Sequence, residues 1–151
     1  SFGKTWGLAG VRLGFALAAP EAAAALRAAF GPWAVSGPAI AIGVAALAAR
    51  DWLEGARDRL KAAAERLDAL LVAAGLTIVG GTPLFRLAMG DEAPQIAERL
   101  GRHGIHVRRF PHDPRMLRFG LPANDAEWRR LDAASSREVV SRYGVPGAAF
   151  R

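Results

Sequence analysis

The sequence predicts a helical first part with one fully buried strand, followed by an α+β layer in which a sheet carries helices on one face. An almost wholly apolar run, Val11–Ala18 (VRLGFALA), indicates a strand buried on both faces, as in the parallel sheets of α/β proteins. Beyond residue 75, short strands and helices follow one another in an order typical of an α+β layer. A long amphipathic helix connects the two parts.

Two helices are predicted after the buried strand. Pro20 begins an Ala-rich helix that ends near Gly31, since proline suits the first turn of a helix and glycine its end. The sequence has no charged residue from Gly31 to Ala49. A membrane span needs about 20 mostly apolar residues, but prolines break this stretch near its start. We therefore predict a buried helix at Pro38–Ala49 and no membrane partner.

Asp51 begins the long amphipathic helix, and Gly75 ends it. Its apolar residues recur at intervals of three and four, which predicts one apolar stripe and leaves Lys61 in solvent. The stripe consists of Trp52, Ala56, Leu60, Ala63, Leu67, Leu70 and Ala74.

Four strands are predicted after this helix, at Leu76–Val79, Leu84–Met89, Ile105–Phe110 and Met116–Leu121. Two further helices are predicted between and after them. Asp91 caps the first, which runs through Arg102, and Asn124 and Glu127 open the second, with Trp128 and Leu131 inward.

Alternation along the last two strands separates their arginines. Arg118 falls on the opposite face from the apolar residues of its strand, and Arg108 and Arg109 fall on opposite faces of the preceding one. A strand arginine often simply faces water. A planar guanidinium also suits a carboxylate or a phosphate, so both interpretations remain open from the residues alone.

Composition limits the classes of function. The chain has 151 residues, a formal charge of +6 and no cysteine, which excludes a disulfide framework, a thiolate nucleophile and a cysteine zinc site. Its three histidines lack metal-ligand spacing, so no metal is expected. The arginines are scattered and no Lys/Arg run is interleaved with aromatic residues, which argues against a nucleic-acid partner. We expect no signal peptide and a cytoplasmic protein.

The first fourteen residues, SFGKTWGLAGVRLG, carry the strongest chemical signal. Of 20 cationic side chains only Lys4 and Lys61 are lysines, and arginine cannot replace an amine that must lose its proton and attack a carbonyl. Ser1, Arg12 and free backbone N–H groups suit a phosphate, while the Lys4 amine suits an aldehyde. Pyridoxal 5'-phosphate (PLP) has both groups. The glycine spacing fits neither a P-loop nor a dinucleotide fingerprint; a Gly-rich surface turn with a solvated Lys4 is the alternative.

The register Ser1-x-x-Lys4-x-x-Gly7-Leu8-Ala9-Gly10-x-Arg12-x-Gly14 resembles the PLP-lysine signature of fold-type-I aminotransferases. The resemblance implies that Lys4 holds PLP covalently as the catalytic residue, and that Ser1 and Arg12 bind its phosphate. It further implies that Arg118, in the run LRFGLP, binds the α-carboxylate of an amino acid substrate. In members that act on phosphorylated substrates, Arg108 would help to bind the substrate's own phosphate, and we favour it over Arg109.

The resemblance also implies a domain organisation. The parent fold is α/β, with residues 1–50 as a remnant of the large PLP-binding domain, 51–134 as a small C-terminal α+β domain and 135–151 as a tail. In that family a large domain precedes the lysine and supplies a carboxylate, a stacking aromatic and a tyrosine around the cofactor. We therefore expect this chain alone to bind PLP weakly and to show no turnover, and the intact enzyme to be a homodimer.

Within this branch, the N-terminal run and the LRFGLP run are more similar to threonine-phosphate decarboxylases of cobalamin synthesis than to histidinol-phosphate aminotransferases. The implied reaction is decarboxylation of L-threonine O-3-phosphate to (R)-1-amino-2-propanol phosphate. The segment 82–85 lacks the Asn-Phe that aminotransferases of this branch often show, which weakens an aminotransferase assignment. The segment PWAVS at 32–36 resembles one that approaches the active site and subunit interface; alternatively, Trp33 and Val35 anchor a loop onto the core.

Two hypotheses without catalysis are kept for comparison. The net charge permits a basic binding module, which would associate with DNA or RNA with a steep salt dependence. The second part of the chain would also suit a small domain that only mediates dimerisation, in which case Lys4 would be dispensable for any activity of the parent protein.

Overall fold

The computed structural model describes residues 1–135 of the chain. They divide into two compact units, Ser1–Ala62 and the residues from Ala63 onward. The six helices are α1 (Phe2–Thr5), α2 (Pro20–Phe30), α3 (Gly37–Ala48), α4 (Arg50–Ala73), α5 (Ala93–Arg102) and α6 (Asp125–Ser135). The four strands are β1 (Thr77–Thr82), β2 (Phe85–Met89), β3 (Arg108–Arg109) and β4 (Met116–Gly120). The predicted tail lies outside the described residues from 136 on, and the predicted boundary at residue 50 stays a prediction.

Helices α2 and α3 of the first unit form where the sequence predicts them, whereas α1 was not predicted. Pro20 lies in the first turn of α2, and Gly31 follows its last residue with a positive φ of 70°, a conformation that glycine adopts without steric cost. The Ser36 side chain accepts a hydrogen bond from Ala39 N at the start of α3. The prediction that this helix is buried is wrong for its large side chains, because Ile40 and Val44 are 54% and 64% exposed.

The strand predicted at Val11–Ala18 does not form. Val11 ends a short 3₁₀ turn, and residues 12–19 belong to no strand or helix. A strand buried on both faces needs a neighbouring strand for its N–H and C=O groups and apolar surfaces above and below. The described residues supply no such neighbour for this run, and Phe15 and Leu17 are 68% and 99% exposed.

The second unit contains one antiparallel sheet in the order β1-β2-β4-β3. Its first strand is longer than predicted, because Gly80-Gly81-Thr82 continue the pairing with β2 after a register shift between Ile78 and Gly80. Gly81 has a φ of 143°, which the glycine accommodates at the end of the ladder. Only Arg108 and Arg109 of the predicted Ile105–Phe110 strand pair with β4.

One face of the sheet packs against helices, as the α+β pattern predicts. The core joins Leu67 and Leu71 of α4 to Ile96 and Leu100 of α5, together with residues of the sheet and α6. On β4, Leu117 and Phe119 are 0% and 1% exposed while Arg118 is exposed, which confirms the predicted alternation.

The ends of α5 and α6 show how local sequence sets helix boundaries. Asp91 does not cap α5; Glu92 occupies the N-cap position without a side-chain cap bond. At α6, Glu127 N donates to Asn124 Oδ1 at 3.0 Å, and Glu127 Oε2 accepts from Ala123 N at 2.8 Å. The predicted capping pair therefore forms, with the return bond one residue earlier than usual. Trp128 and Leu131 point inward, as predicted.

Candidate active site

The first turn of the chain fixes the spacing of Ser1 and Lys4. Ser1 occupies the N-cap of α1, and its carbonyl oxygen accepts hydrogen bonds from Lys4 N and Thr5 N, both at 3.1 Å. A short helical turn brings residues three apart onto the same side. The Ser1 hydroxyl and the Lys4 amine consequently belong to one surface of this turn.

The chain then turns back and brings Arg12 to the same turn. Gly7 has a φ of 71°, and residues Ala9–Val11 form a 3₁₀ turn. The two segments pass so closely at Gly3 that a Cβ there would lie 3.1 Å from Ala9 Cα, so a larger residue would require the Ala9 segment to move by a few tenths of an ångström.

Arg12 adopts a left-handed backbone conformation, with φ 55° and ψ 40°. Among non-glycine residues this conformation is uncommon and costs roughly 1 kcal/mol or more. The Arg12 side chain donates from Nη1 to Ala9 O at 3.0 Å, which holds the guanidinium beside its own loop. Strain of this kind concentrates at ligand-binding positions.

Ser1, Lys4 and Arg12 line one cavity of about 310 Å³. The other lining residues are Gly3, Ala9, Leu13 and Gly14. The structure therefore brings together the three residues that the sequence singled out for a cofactor. None of the lining residues is acidic, so no carboxylate of the lining neutralises the positive charges of Lys4 and Arg12. An anion is the ligand that this electrostatic environment favours.

The second group of candidate residues lies in the second unit. Arg108 and Arg118 are direct partners across the β3–β4 ladder, on the face away from the helices. The Arg118 guanidinium carbon lies 5.2 Å from the centre of the Phe85 ring, a cation–π distance. Two like charges directly opposite each other destabilise a sheet, and an anion bound between them would relieve that repulsion.

The arginines of this unit differ in whether they have a carboxylate partner. Arg86 forms a bidentate pair with Asp68, with N–O distances of 2.6 and 2.7 Å. Arg108 and Arg118 form no ion pair with a carboxylate of residues 1–135. Arg109 pairs with Leu117 and lines a separate cavity beside Gly104. These placements support the choice of Arg108 over Arg109.

Metal-binding clusters and membrane-spanning helices were considered for residues 1–135 as well. Within residues 1–135 no three His, Asp or Glu side chains lie close enough to hold a metal ion. No described helix is both long and apolar enough to cross a membrane.

Trp33 is 90% exposed, so the interpretation that it anchors its loop onto the core is wrong. Its predicted approach to an active site or interface stays a prediction.

Sequence reasoning missed Phe2, which lies between Ser1 and Lys4. Its side chain is 1% exposed, although its neighbours in sequence are polar residues and glycine. Periodicity cannot identify it, because the turn is only four residues long. An apolar residue directly between two candidate ligands is the signal that could have found it.

The chain matches the aminotransferase class I and II family over residues 1–131. It is 44% identical to a threonine-phosphate decarboxylase of Pseudomonas aeruginosa over 134 residues, which cover 89% of this chain and 40% of that protein. It is also 35% identical to an aromatic amino acid aminotransferase of Rhodococcus erythropolis over 128 residues, or 83% of this chain and 36% of that protein.

A solved relative has the same fold. The structure of histidinol-phosphate aminotransferase from Sinorhizobium meliloti, in complex with PLP, matches with a TM-score of 0.74 at 30% identity and covers 89% of this chain and 38% of that one. The chain thus spans about 40% of the length of the curated relatives that it matches. The family match and the PLP-bound neighbour indicate PLP as the cofactor. With its match over residues 1–131, the chain belongs to the aminotransferase class I and II family of fold-type-I PLP enzymes.

Proposed function

We propose that this chain is the cofactor-lysine part of a PLP-dependent threonine-phosphate decarboxylase, which converts L-threonine O-3-phosphate to (R)-1-amino-2-propanol phosphate. The observation that carries the proposal is the single cavity lined by Ser1, Lys4 and Arg12. The 44% identity to a threonine-phosphate decarboxylase supports this reaction over the others found in the family.

The donor set of this cavity fits PLP. A cofactor with an aldehyde and a phosphate needs one amine and a group of phosphate ligands, and the cavity supplies Lys4 Nζ, the Ser1 hydroxyl and the Arg12 guanidinium. PLP, when bound, acts as an electron sink that makes cleavage of a bond at the substrate's α-carbon possible.

The residues of this cavity divide between two tasks in the proposed reaction. Lys4 Nζ would hold the aldehyde carbon of the cofactor. Arg12 and Ser1 would hold its phosphate and so fix the position of the cofactor. The present partner of the Arg12 guanidinium is a neutral carbonyl, Ala9 O, so phosphate oxygens would be stronger acceptors for it.

The arginines on the sheet suit the two anionic groups of the proposed substrate. Arg118 would bind the α-carboxylate through its planar guanidinium, and Arg108 would bind the substrate's phosphate. Their adjacency in the ladder and the lack of an ion pair with a described carboxylate support this assignment. In a decarboxylase, whose substrate loses its carboxylate, Lys4 would serve mainly to hold the cofactor.

A histidinol-phosphate-type aminotransferase is the second candidate. The structural match to histidinol-phosphate aminotransferase favours it, since a TM-score of 0.74 shows the same fold at 30% identity. Both candidates use the same lysine and bind a phosphorylated amine substrate. They differ in whether the substrate loses its carboxylate or gives its amino group to a keto acid. In the transfer reaction Lys4 Nζ would also move the α-proton.

The test uses the enzyme that contains this chain, loaded with PLP and given L-threonine O-3-phosphate without a keto acid. We expect release of carbon dioxide and aminopropanol phosphate. The variant Lys4→Ala should lower the rate by roughly 10³-fold or more, because the covalent anchor is lost. Lys61→Ala is the matched control, since Lys61 is the other lysine and is exposed on α4.

The two candidates separate in the same assay. Amino transfer from histidinol phosphate after addition of a keto acid, with no carbon dioxide released from threonine phosphate, would replace the decarboxylase by the aminotransferase. Full activity of Lys4→Ala in both reactions would contradict either enzyme. Borohydride reduction followed by peptide mass spectrometry should locate the cofactor on Lys4.

A further inference from the structure

We propose that Phe2 is the positioning residue of the cofactor site: its buried ring and its main-chain bonds set the placement of Ser1 and Lys4 towards PLP. Phe2 does not line the cavity, so it acts through the backbone. The inference rests on the proposed function, in that Lys4 must be the PLP lysine for its placement to matter.

The burial of Phe2 is exceptional within its unit. At 1% exposure it is the largest buried side chain of Ser1–Ala62, where the only other buried apolar residues are Ala39 and Ala56. The remaining phenylalanines of this unit, Phe15 and Phe30, are 68% and 69% exposed. The most fully buried side chain of the unit therefore belongs to the turn that carries Ser1 and Lys4.

The main chain of Phe2 ties together the parts of the loop. Phe2 N donates to Leu13 O at 3.1 Å, and Phe2 O accepts from Trp6 N at 3.0 Å and Leu8 N at 3.1 Å. Leu13 follows Arg12 in sequence and lines the cavity. A shift of Phe2 would therefore alter the distance between the Lys4 turn and the Arg12 segment.

The ring of Phe2 is fixed by contacts on several sides. It stacks on Trp6 with 4.5 Å between ring centres and an interplanar angle of 24°, and the Phe15 ring lies at 5.9 Å. Such aromatic pairs add specific geometry to the burial of apolar area. The orientation of the ring, and hence of the backbone between Ser1 and Lys4, is consequently well determined.

Helix α3 supports the ring from the side at Gly43. A Cβ at this position would lie 2.5 Å from Leu13 Cδ2 and 3.7 Å from Phe2 Cζ. Glycine inside a helix is unfavourable compared with alanine, so its presence here corresponds to the close approach of α3. Phe2, Leu13 and Gly43 form one packed group, which we call the Phe2 anchor.

The test compares Phe2→Leu with Phe119→Leu in the PLP-loaded enzyme that contains this chain. Both phenylalanines are 1% exposed, so both substitutions remove the same ring from an equally buried position. The first readout is the dissociation constant of PLP. The second is the midpoint of the pH titration of the visible absorbance of bound PLP. The third is the thermal unfolding of the PLP-free protein.

We expect both variants to lower the unfolding temperature. Only Phe2→Leu should raise the PLP dissociation constant, by about 10-fold, and shift the titration midpoint, because misplacement of a binding group weakens the contacts that depend on its geometry. Equal dissociation constants and midpoints for the two variants would overturn the positioning role and leave the proposed function intact. If the unsubstituted enzyme forms no borohydride-reducible link at Lys4, both proposals fail.

Gly43→Val is the second variant. It creates no cavity, and it tests the positioning role of Phe2 if Phe2→Leu does not fold. It crowds the Phe2 anchor from α3, where an added Cβ would lie 2.5 Å from the end of the Leu13 side chain and 3.7 Å from Phe2 Cζ. We expect a weaker loss of PLP affinity than for Phe2→Leu, in the same direction, about 3-fold. An unchanged PLP dissociation constant in a folded Gly43→Val protein would overturn the proposal.

Discussion

The two compact units of this chain differ in where their apolar side chains lie. From Ala63 to residue 135, leucine, isoleucine, phenylalanine and tryptophan side chains of three helices and a sheet meet in one buried cluster. In Ser1–Ala62 most large apolar side chains are exposed; of the exposed large hydrophobic residues of the described chain, only Val72 and Val79 lie outside this unit. An apolar pattern in a sequence thus indicates side chains that need another surface to cover them. Of the two units, only the second supplies that surface from its own residues.

Two helices of similar length show the same contrast. In α5 the buried residues Ala93, Ile96, Ala97 and Leu100 recur at three and four, and they face the core of their unit. Helix α3 is apolar on all sides, and only Ala39 and Gly43 are buried. A helix that is apolar all round is normally enclosed by protein, and large exposed apolar surfaces mark contacts with other polypeptides.

The sharpest test of this comparison applies the same substitution in both units. Leu117→Ala removes a side chain that is 0% exposed and should cost about 2–5 kcal/mol of unfolding free energy. Leu17→Ala removes one that is 99% exposed and should change it by less than about 0.5 kcal/mol. Chemical denaturation of the 151-residue chain measures both values.

A similar loss for the two leucine variants would break the comparison. It would mean that Leu17 is covered in solution, for example by a second copy of the chain. Repeating the denaturation over a range of protein concentrations distinguishes that case, because stability from association rises with concentration.

A second test concerns the chemistry assigned to the second unit. Arg118→Lys keeps the charge but loses the planar guanidinium, so it should lower kcat/KM for the phosphorylated amino acid by roughly 10- to 100-fold. The control is Arg109→Lys, a neighbour of Leu117 in the ladder on the adjacent strand. The steady-state kinetics of the enzyme that contains this chain provide the measurement, with the unfolding midpoint as a check on folding.

Equal kinetic effects of the two lysine variants would show that Arg118 acts only as a surface charge. A fall in the unfolding midpoint for Arg118→Lys, with unchanged kcat/KM, would show instead that its contact with the Phe85 ring serves the sheet. Either result would remove Arg118 from the proposed substrate site.

Sequence patterns predicted several features whose interacting residues lie within the described chain. The later part of the α4 stripe, the alternation of β4 and the Asn124–Glu127 cap depend on neighbours a few residues away or on the core of the same unit. Trp52, the first residue of the predicted stripe, is 48% exposed. The strand predicted at Val11–Ala18 failed for the opposite reason, since a parallel strand depends on partners far away in sequence. Its apolar character is real, but the described residues supply no sheet for it to join.

In the candidate site, the sequence indicated which residues to consider as ligands but not the contacts that position them. Residue chemistry pointed to Ser1, Lys4 and Arg12, and the structure places them around one cavity. The left-handed backbone of Arg12 and the burial of Phe2 arise from a loop that turns back on itself. No periodicity in the sequence reports such a turn, because its contacts join residues at irregular spacing.

The smallest expected effect is the pH dependence contributed by Asp113, before β4. The Arg115 backbone N–H, which donates to Asp113 Oδ1 at 3.0 Å, lowers the pKa of this carboxyl below its ordinary 3.8, with a further contribution from the Arg115 side chain and a partial opposing effect of desolvation. A folded-state pKa below the unfolded value stabilises the fold above pH 3.8, and this stabilisation is lost as the pH falls through the folded-state pKa.

Asp113→Asn tests this contribution, since asparagine keeps an acceptor for Arg115 N but carries no charge. The unfolding free energy of variant and unsubstituted chain, measured from about pH 6 to about pH 2, should differ at the upper end and converge at the lower end. A difference that stays constant over this range would assign the effect to the hydrogen bond alone. A difference in unfolding free energy that grows towards low pH would reverse the sign of the linkage. The turn before β4 would then be stabilised by the protonated, neutral form of Asp113.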